Sequence, residues 1–326
     1  MITYLKKPRL SHPQLLAAWP GMGFVASRTA SFLIDSLPAR RFAFIHPGEY
    51  FSPTGVAVEK SLARIPSLPE NNFYFWRNPS TASDLIIFLG EAQPASGLQI
   101  KMAHEVIELA KEMGVFRLLT FAAAPTAIQH KNTPGVWGVA NNGKLRDYLF
   151  EQGVKLLKMG QISGLNGMLL GVASQEGLPG MCLLGEIPYY TVNLDNPRAS
   201  MAIIKILEKI LFISLDYSPI LDEIRNFDRE IAQMGEKAQE TMASFMQPGE
   251  EYGSDEVLGG EEEGEEESPP LTDSARRRIE DLFLRVKADP SLAPLLKSEL
   301  DRWGVYGQYE DRFLDLFRKG KEQKDN

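Results

Sequence analysis

The sequence predicts an α/β protein with a mostly parallel central sheet and helices packed on both faces. Three observations carry this. Five short apolar runs are continuous rather than alternating, as strands covered on both faces are. Helical stretches lie between several of these runs, the pattern of crossover units. Hydrophobic residues make up 44% of the 326, enough for a sizeable buried core.

The first strand is expected over Leu15–Trp19, and a glycine-bearing loop leads from it into a helix over Val25–Leu37. A second strand follows at Phe42–Ile45. The stretch Pro47–Trp76 is less regular and suggests a hairpin, with Val56–Ala63 and Phe73–Trp76 as its short strands. Leu85–Leu89 is the third strand. A helix over Gln99–Met113 comes next and is ended by Gly114. The fourth strand is Phe116–Ala122. Helices over Lys144–Glu151 and Leu165–Gln175 precede the fifth strand, Met181–Leu184. The last core helix, Pro197–Phe212, has a good start: Asn196 as cap, then proline where its missing N–H costs nothing.

After Ser218 the character changes. Ile220, Ile224, Phe227, Ile231, Met234, Ala238, Thr241 and Phe245 are spaced four and three apart, a heptad seam flawed at Ala238 and Thr241. Such a helix either packs on its own domain or meets copies of itself. Residues 247–270 hold ten acidic residues and no Lys or Arg, with few large apolar groups. Such a segment cannot bury enough surface to offset its ordering entropy, so a disordered acidic linker is expected. Helical periodicity returns over Leu271–Phe317 in three stripes: Ile279, Leu282, Phe283 and Val286; Leu295, Leu296, Leu300 and Trp303; Tyr309, Phe313, Leu314 and Phe317. The expected organisation is a core domain over 1–216, a heptad helix over 217–246, the linker over 247–270 and a small helical tail over 271–320.

The formal net charge of −8 is set by the linker, since removing its ten acids gives −8 + 10 = +2 for the rest. No broad basic face for nucleic acid is expected. No apolar run approaches the ~18 residues of a membrane span, and no apolar stretch follows the basic start to make a secretory signal. The one cysteine, Cys182, excludes disulfides within the chain, fits a reducing, cytoplasmic compartment, and reads as a small buried hydrophobe. His12, His46, His104 and His130 are scattered without the spacing of metal ligands, and neither a nucleophile elbow nor a phosphate-binding P-loop motif is present. No catalytic residue, metal or cofactor is assigned.

Candidate binding residues cluster in three places. Two segments resemble each other: an apolar strand, then Gly90-Glu91 with Ala92-Gln93-Pro94, and an apolar strand, then Gly185-Glu186 with Ile187-Pro188-Tyr189. In an open parallel sheet, ligands gather beyond the carboxyl ends of the strands, which is where Glu91, Gln93, Glu186, Tyr189 and the loop residue Thr126 are expected. The alternative is that Gly-Glu merely ends a strand. The second place is Gly160–Gly167, where Gln161, Ser163 and Asn166 can donate and accept at the start of a helix; one of them could equally serve only as its cap. The third is the loop after the first strand, where Gly21, Gly23 and Ala26 fit the loose dinucleotide pattern G-x-G-x-x-G/A without a cofactor-specific second half. His130, after the Pro125 loop, is either a general base or a solvated loop histidine.

Five motifs, in order, resemble the proteasome assembly chaperone type 2 family in its bacterial and archaeal branch. They are Leu89–Pro94, Ala122–Thr126, Val136–Asn141, Gly160–Gly167 and Leu184–Tyr190, and the likeness spans about Trp19 to Leu215. The resemblance implies a three-layer α/β/α fold similar to nucleoside phosphorylases, and homo-oligomers, trimers being favoured. Eukaryotic members escort proteasome α-subunits, while prokaryotic members mostly have no established activity. Some related proteasome binders end in a hydrophobic-Tyr-any tail; this chain ends Lys324-Asp325-Asn326, so insertion into the proteasome ring by that route is not implied. The leading expectation is a non-catalytic, homo-oligomeric, chaperone-like protein that binds itself and a protein client, without nucleic acid or membrane. The alternative is a nucleotide- or nucleoside-like ligand, bound or transformed at the strand ends.

Overall fold

The computed structural model describes residues 2–79, 83–246 and 273–288, with residues 296, 299, 300, 303, 305, 308, 309, 312 and 313. The chain divides into two compact units, Met1–Pro248 and Gly249–Asn326. The predicted acidic linker lies outside the described residues.

The first unit is built on one nine-stranded sheet. Its strands in chain order are β1 (Ile2–Tyr4), β2 (Gln14–Ala18) and β3 (Arg40–Ile45), then β6 (Asn71–Trp76), β7 (Leu85–Gly90), β8 (Arg117–Thr126), β9 (Val136–Ala140), β10 (Lys155–Leu156) and β11 (Gly180–Pro188). A separate pair, β4 (Ala57–Glu59) and β5 (Leu62–Arg64), projects between β3 and β6 in sequence. The sheet order is β1-β3-β6-β7-β2-β8-β11-β9-β10. The four central strands, β7-β2-β8-β11, are mutually parallel. Antiparallel strands extend both flanks.

Five helices cover the sheet: α1 (Val25–Ser36), α2 (Ser96–Glu112), α3 (Gly143–Glu151), α4 (Gly164–Gln175) and α5 (Pro197–Leu211). Side chains along a strand alternate between faces, and here both faces are apolar. Leu16, Ala18, Leu85 and Ile87 pack in one cluster with Leu33 of α1, Leu149 of α3 and Ile203 of α5. Leu15, Ala17, Ile86 and Phe88 pack in the other with Val106 of α2 and Leu169 of α4. This is why the strand sequences read as continuous apolar runs, and it confirms the predicted three-layer α/β/α arrangement. Cys182 is fully buried, and burial pushes its thiol up to about 12, so it stays a neutral hydrophobe.

The stretch 47–76 departs from the predicted hairpin. Residues 56–63 fall across β4 and β5, which pair with each other through a two-residue turn, Lys60 and Ser61, both at positive φ; that is the backbone twist a tight hairpin demands. Phe73–Trp76 belongs to β6 and pairs with β3 and β7 in the main sheet.

The heptad helix, α6 (Ser218–Met246), starts against its own unit. Ile220, Ile224 and Phe227 are buried, Ile220 in a cluster with Phe32 and Ile204. Arg28 bridges Asp195 and Glu223, and Arg198 pairs with Asp228. Further along, Ile231 is half-buried and Met234 is 54% exposed. The seam is thus docked at its first three positions and turns outward by Met234; the side chains of Ala238, Thr241 and Phe245 lie outside the described residues. Ile220→Ala is expected to lower stability by about 3 kcal/mol, because it empties a closed site, whereas Leu221→Ala, at an exposed neighbour, should stay within about 0.5 kcal/mol; urea unfolding of both variants checks this.

In the second unit, α7 (Asp273–Ala288) presents Ile279, Leu282, Phe283 and Val286 to Leu296, Leu300 and Val305, with Trp303, Tyr309 and Phe313 at the margin. All three predicted stripes contribute to this cluster; Leu295, Leu314 and Phe317 lie outside the described residues. No helix among the described residues is long and apolar enough to cross a membrane.

Candidate functional site

The carboxyl ends of the central strands meet loops from three places in the sequence, and these loops are fastened by two amides. Asn166, in the first turn of α4, is buried; its side chain accepts from the Trp19 N–H at 3.0 Å and donates to the Trp19 carbonyl at 3.0 Å. Gln93, beyond β7, donates to the Pro20 carbonyl at 2.6 Å and accepts from the Leu165 N–H at 3.0 Å. It thereby satisfies one of the N–H groups a helix start leaves open. The chain between β2 and α1 is clamped to the start of α4.

The clamp leaves a cavity of about 260 Å³ lined by Gly21, Gln93, Gln161, Ser163, Asn166 and Leu184, among others. Five of the predicted binding residues are therefore brought together from three distant segments. Of their polar side chains, Gln93 and Asn166 are engaged in the clamp, while among the described residues no hydrogen bond reaches those of Gln161 and Ser163.

The other candidates lie outside this cavity. Glu91 is exposed and accepts from the Glu70 N–H at 2.8 Å, continuing the β6–β7 pairing. Glu186 is half-buried in β11, where Oε1 accepts from Thr126 Oγ1 at 2.9 Å and Oε2 from the Gly135 N–H at 2.8 Å. Glu91 follows β7, and Glu186 lies three strand spacings away in β11, about 14 Å at the usual spacing. The two carboxylates share a rim but not a pocket, and each has its own backbone partner.

The glycines of the twin motif answer to packing. A Cβ on Gly90 would sit 2.4 Å from the Trp19 indole, and one on Gly185 would sit 2.9 Å from the Ala199 carbonyl oxygen. Gly23 adopts φ +62°, and a Cβ there would meet the Asn196 amide at 2.9 Å. Its N–H donates to the Val192 carbonyl and its own carbonyl accepts from the Asn196 N–H. The backbone of the G-x-G loop is thus engaged with the segment after β11 at the glycine where a dinucleotide fingerprint needs it open. Gly21 lines the cavity in an extended conformation, φ −157°.

Tyr189, a predicted binding residue, stands out on this rim together with three large side chains that the sequence motifs do not single out. Met22 and Phe24 are each 45% exposed, and Tyr189 and Tyr190 are 63% and 58% exposed. The Gly23–Val192 bond holds the two loops side by side. Tyr190 is fixed by its hydroxyl, which accepts from the His130 N–H at 3.0 Å and lies 2.9 Å from His130 Nδ1. His130 is therefore tied to the rim aromatic. The sequence signal was present as large apolar residues inside a glycine loop.

The family model of the PAC2 family matches residues 15–234. An uncharacterized protein of Methanocaldococcus jannaschii is 25% identical over 241 residues, 68% of this chain and 86% of its own. Among solved structures, the fold superposes with a TM-score of 0.63 on Pyrococcus furiosus PbaB, described as an archaeal proteasome activator, at 23% identity over 72% of this chain and 98% of that one. Pyrococcus furiosus PbaA, described as an archaeal homolog of proteasome-assembly chaperone, follows with a TM-score of 0.58, 24% identity and coverage of 75% and 95%.

Proposed function

The chain belongs to the PAC2 family, and from that premise we propose that it is a non-catalytic, homo-oligomeric, chaperone-like protein of the cytoplasm whose clients are other proteins. One observation carries the self-association. In the β4–β5 hairpin Val58 faces Ala63, and alternation puts Val56 and Ile65 on the same side. Glu59 and Arg64 lie on the other side and pair there at 4.0 Å. The apolar side is uncovered among the described residues: Val56, Val58 and Ile65 are 60%, 68% and 74% exposed. An isolated two-stranded hairpin is marginal in water, so its apolar side is best satisfied by another copy, with trimers favoured. Met234, exposed on the α6 seam, offers a second self-contact.

The client surface in this reading is the aromatic rim. Exposed Tyr and Met held on rigid loops are the side chains enriched at protein interfaces. The names of PbaB and PbaA make proteasome subunits the first clients to test. Met22→Ser combined with Tyr189→Ser is expected to weaken binding to an archaeal proteasome α-subunit by at least about tenfold, the loss of one hot spot. Light scattering should show the oligomer unchanged. Unaltered binding, or no binding by either form, would count against the rim.

A second reading, a nucleotide- or nucleoside-like ligand in the 260 Å³ cavity, is favoured by the unpartnered side chains of Gln161 and Ser163. Its support would be a ligand-dependent rise in the unfolding midpoint that Gln161→Ala removes.

A further inference from the structure

The opposite end of the sheet, where β2 and β8 begin, holds a cavity of about 510 Å³ lined by Gln14, Phe116, Arg117, Tyr148, Leu211 and Phe212, among others. This volume lies within the range of small-molecule sites. Arg117 is half-buried at its inner wall. Its Nε donates to Gln14 Oε1 at 2.9 Å, and Nη2 donates to the same oxygen. Its guanidinium lies 5.5 Å from the Phe116 ring centre and 5.4 Å from that of Tyr148.

The guanidinium is held by a relay. Gln14 is itself buried and donates to Ser83 Oγ at 2.9 Å; Ser83 Oγ in turn donates to the His12 carbonyl at 3.0 Å. The amide oxygen of Gln14 is thereby aimed at the cation. What the arrangement lacks is an anion: among the described residues, no carboxylate lies within ion-pair distance of Arg117. Asp84, which flanks the same strand ends, accepts from the Ser11 N–H at 2.7 Å and the Asn78 N–H at 3.1 Å. A cation in a partly desolvated site without a counter-ion is costly, and burial depresses the Arg117 pKa accordingly.

The rest of the wall is apolar. Phe116 and Phe212 are 43% and 71% exposed. Phe212 sits at the end of α5 in the left-handed region, φ 53°, a conformation uncommon for an aromatic residue. Two carbonyls of this helix end are occupied. Leu211 O accepts from Asn78 Nδ2 at 3.2 Å, and Glu208 O accepts from the Phe212 and Ile213 N–H groups. Among the residues lining the pocket, Arg117 is the permanently charged side chain.

We propose that this pocket binds a small carboxylic acid with an apolar body, its carboxylate on the outer N–H groups of Arg117 and its body against Phe116, Leu211 and Phe212. The planar fork of a guanidinium matches a carboxylate, and the aromatic wall separates such a ligand from bare phosphate.

The test uses the full chain and three probes: 3-phenylpropionate, its neutral amide and inorganic phosphate. The acid is expected to raise the unfolding midpoint saturably, while the amide and phosphate do so at least about tenfold more weakly, since a charge-assisted bond carries more than ~1.4 kcal/mol. Arg117→Gln should weaken the acid by a similar factor. Phe212→Ser changes an exposed position, keeps the fold and should weaken the acid several-fold; it carries the test if Arg117→Gln does not fold. No shift with the acid, equal shifts with acid and amide, equal shifts with acid and phosphate, or undiminished binding by Phe212→Ser would each overturn the proposal.

Discussion

Gly167→Ala should destabilise the chain by about 3 kcal/mol or more, although alanine is the better helix former. Gly167 lies in the first turn of α4, and a Cβ there would stand 2.1 Å from the Ile162 carbonyl oxygen. The obstacle is backbone, so no rotamer relieves it; the loop 160–163 or the helix start has to move. Overpacking of this kind costs ~1–3 kcal/mol when side chains can yield, and here they cannot. The same helix supplies the control. Gly171 has nothing within 4 Å of its notional Cβ, so Gly171→Ala should gain about 0.5–1 kcal/mol from propensity alone. Urea unfolding of both variants should give opposite signs. Equal effects would show that the close approach at Gly167 is not a constraint.

Asn166→Leu should cost about 4 kcal/mol. The volume is nearly kept, but the Trp19 N–H and carbonyl both lose their partner in a buried place, at ~1–3 kcal/mol for each orphaned group. Asn166→Asp separates the two bonds. As a neutral acid the side chain can accept from the Trp19 N–H and donate to its carbonyl; as a carboxylate it cannot donate and is a buried charge. Its folded-state pKa is therefore expected above the ordinary ~3.9. The penalty relative to wild type should be smallest below that ordinary value and should grow as pH rises through the folded-state pKa. A penalty independent of pH would mean that the clamp is not closed on both sides.

The parallel centre of the sheet was legible because each strand there is covered twice, so Leu85–Leu89 or Met181–Leu184 carries its signal in a few consecutive apolar residues. On the flanks β3 and β6 were legible too, but β1, β9 and β10 were not. The strand β9 is five residues long with Gly138 in its middle, where a Cβ would stand 2.7 Å from Val154, and a glycine demoted by propensity is here required by packing. β1 and β10 are three and two residues long, too short for any period to show. β8 and β11 run on to Thr126 and Pro188, past the ends suggested by composition. Their last residues pair with each other beyond the reach of β2 and β9, so Pro125 and Pro188 sit where proline is tolerated, at a free edge.

The site was legible as residue types and not as a shape. Gln161, Ser163 and Asn166 were found because polar residues among glycines at a helix start are conspicuous. That Asn166 and Gln93 clamp Trp19 and Pro20 could not be read, since those bonds span 72 to 147 positions. The twin Glu residues looked like one site because strand order cannot be read from strand sequence; β2 and β8 stand between them. The hairpin was visible as a β-rich segment, but its uncovered side emerged only from the exposure of Val56, Val58 and Ile65 in the folded chain.

Self-association is the claim on which the functional reading rests, and the mass of the full chain in solution at micromolar concentration tests it most directly. Light scattering should return a multiple of the 36.4 kDa chain mass, three being favoured, and Val58→Lys with Ile65→Lys should lower it without unfolding the chain. A wild-type mass of one chain across that range would contradict the account and leave the hairpin's apolar side without a partner.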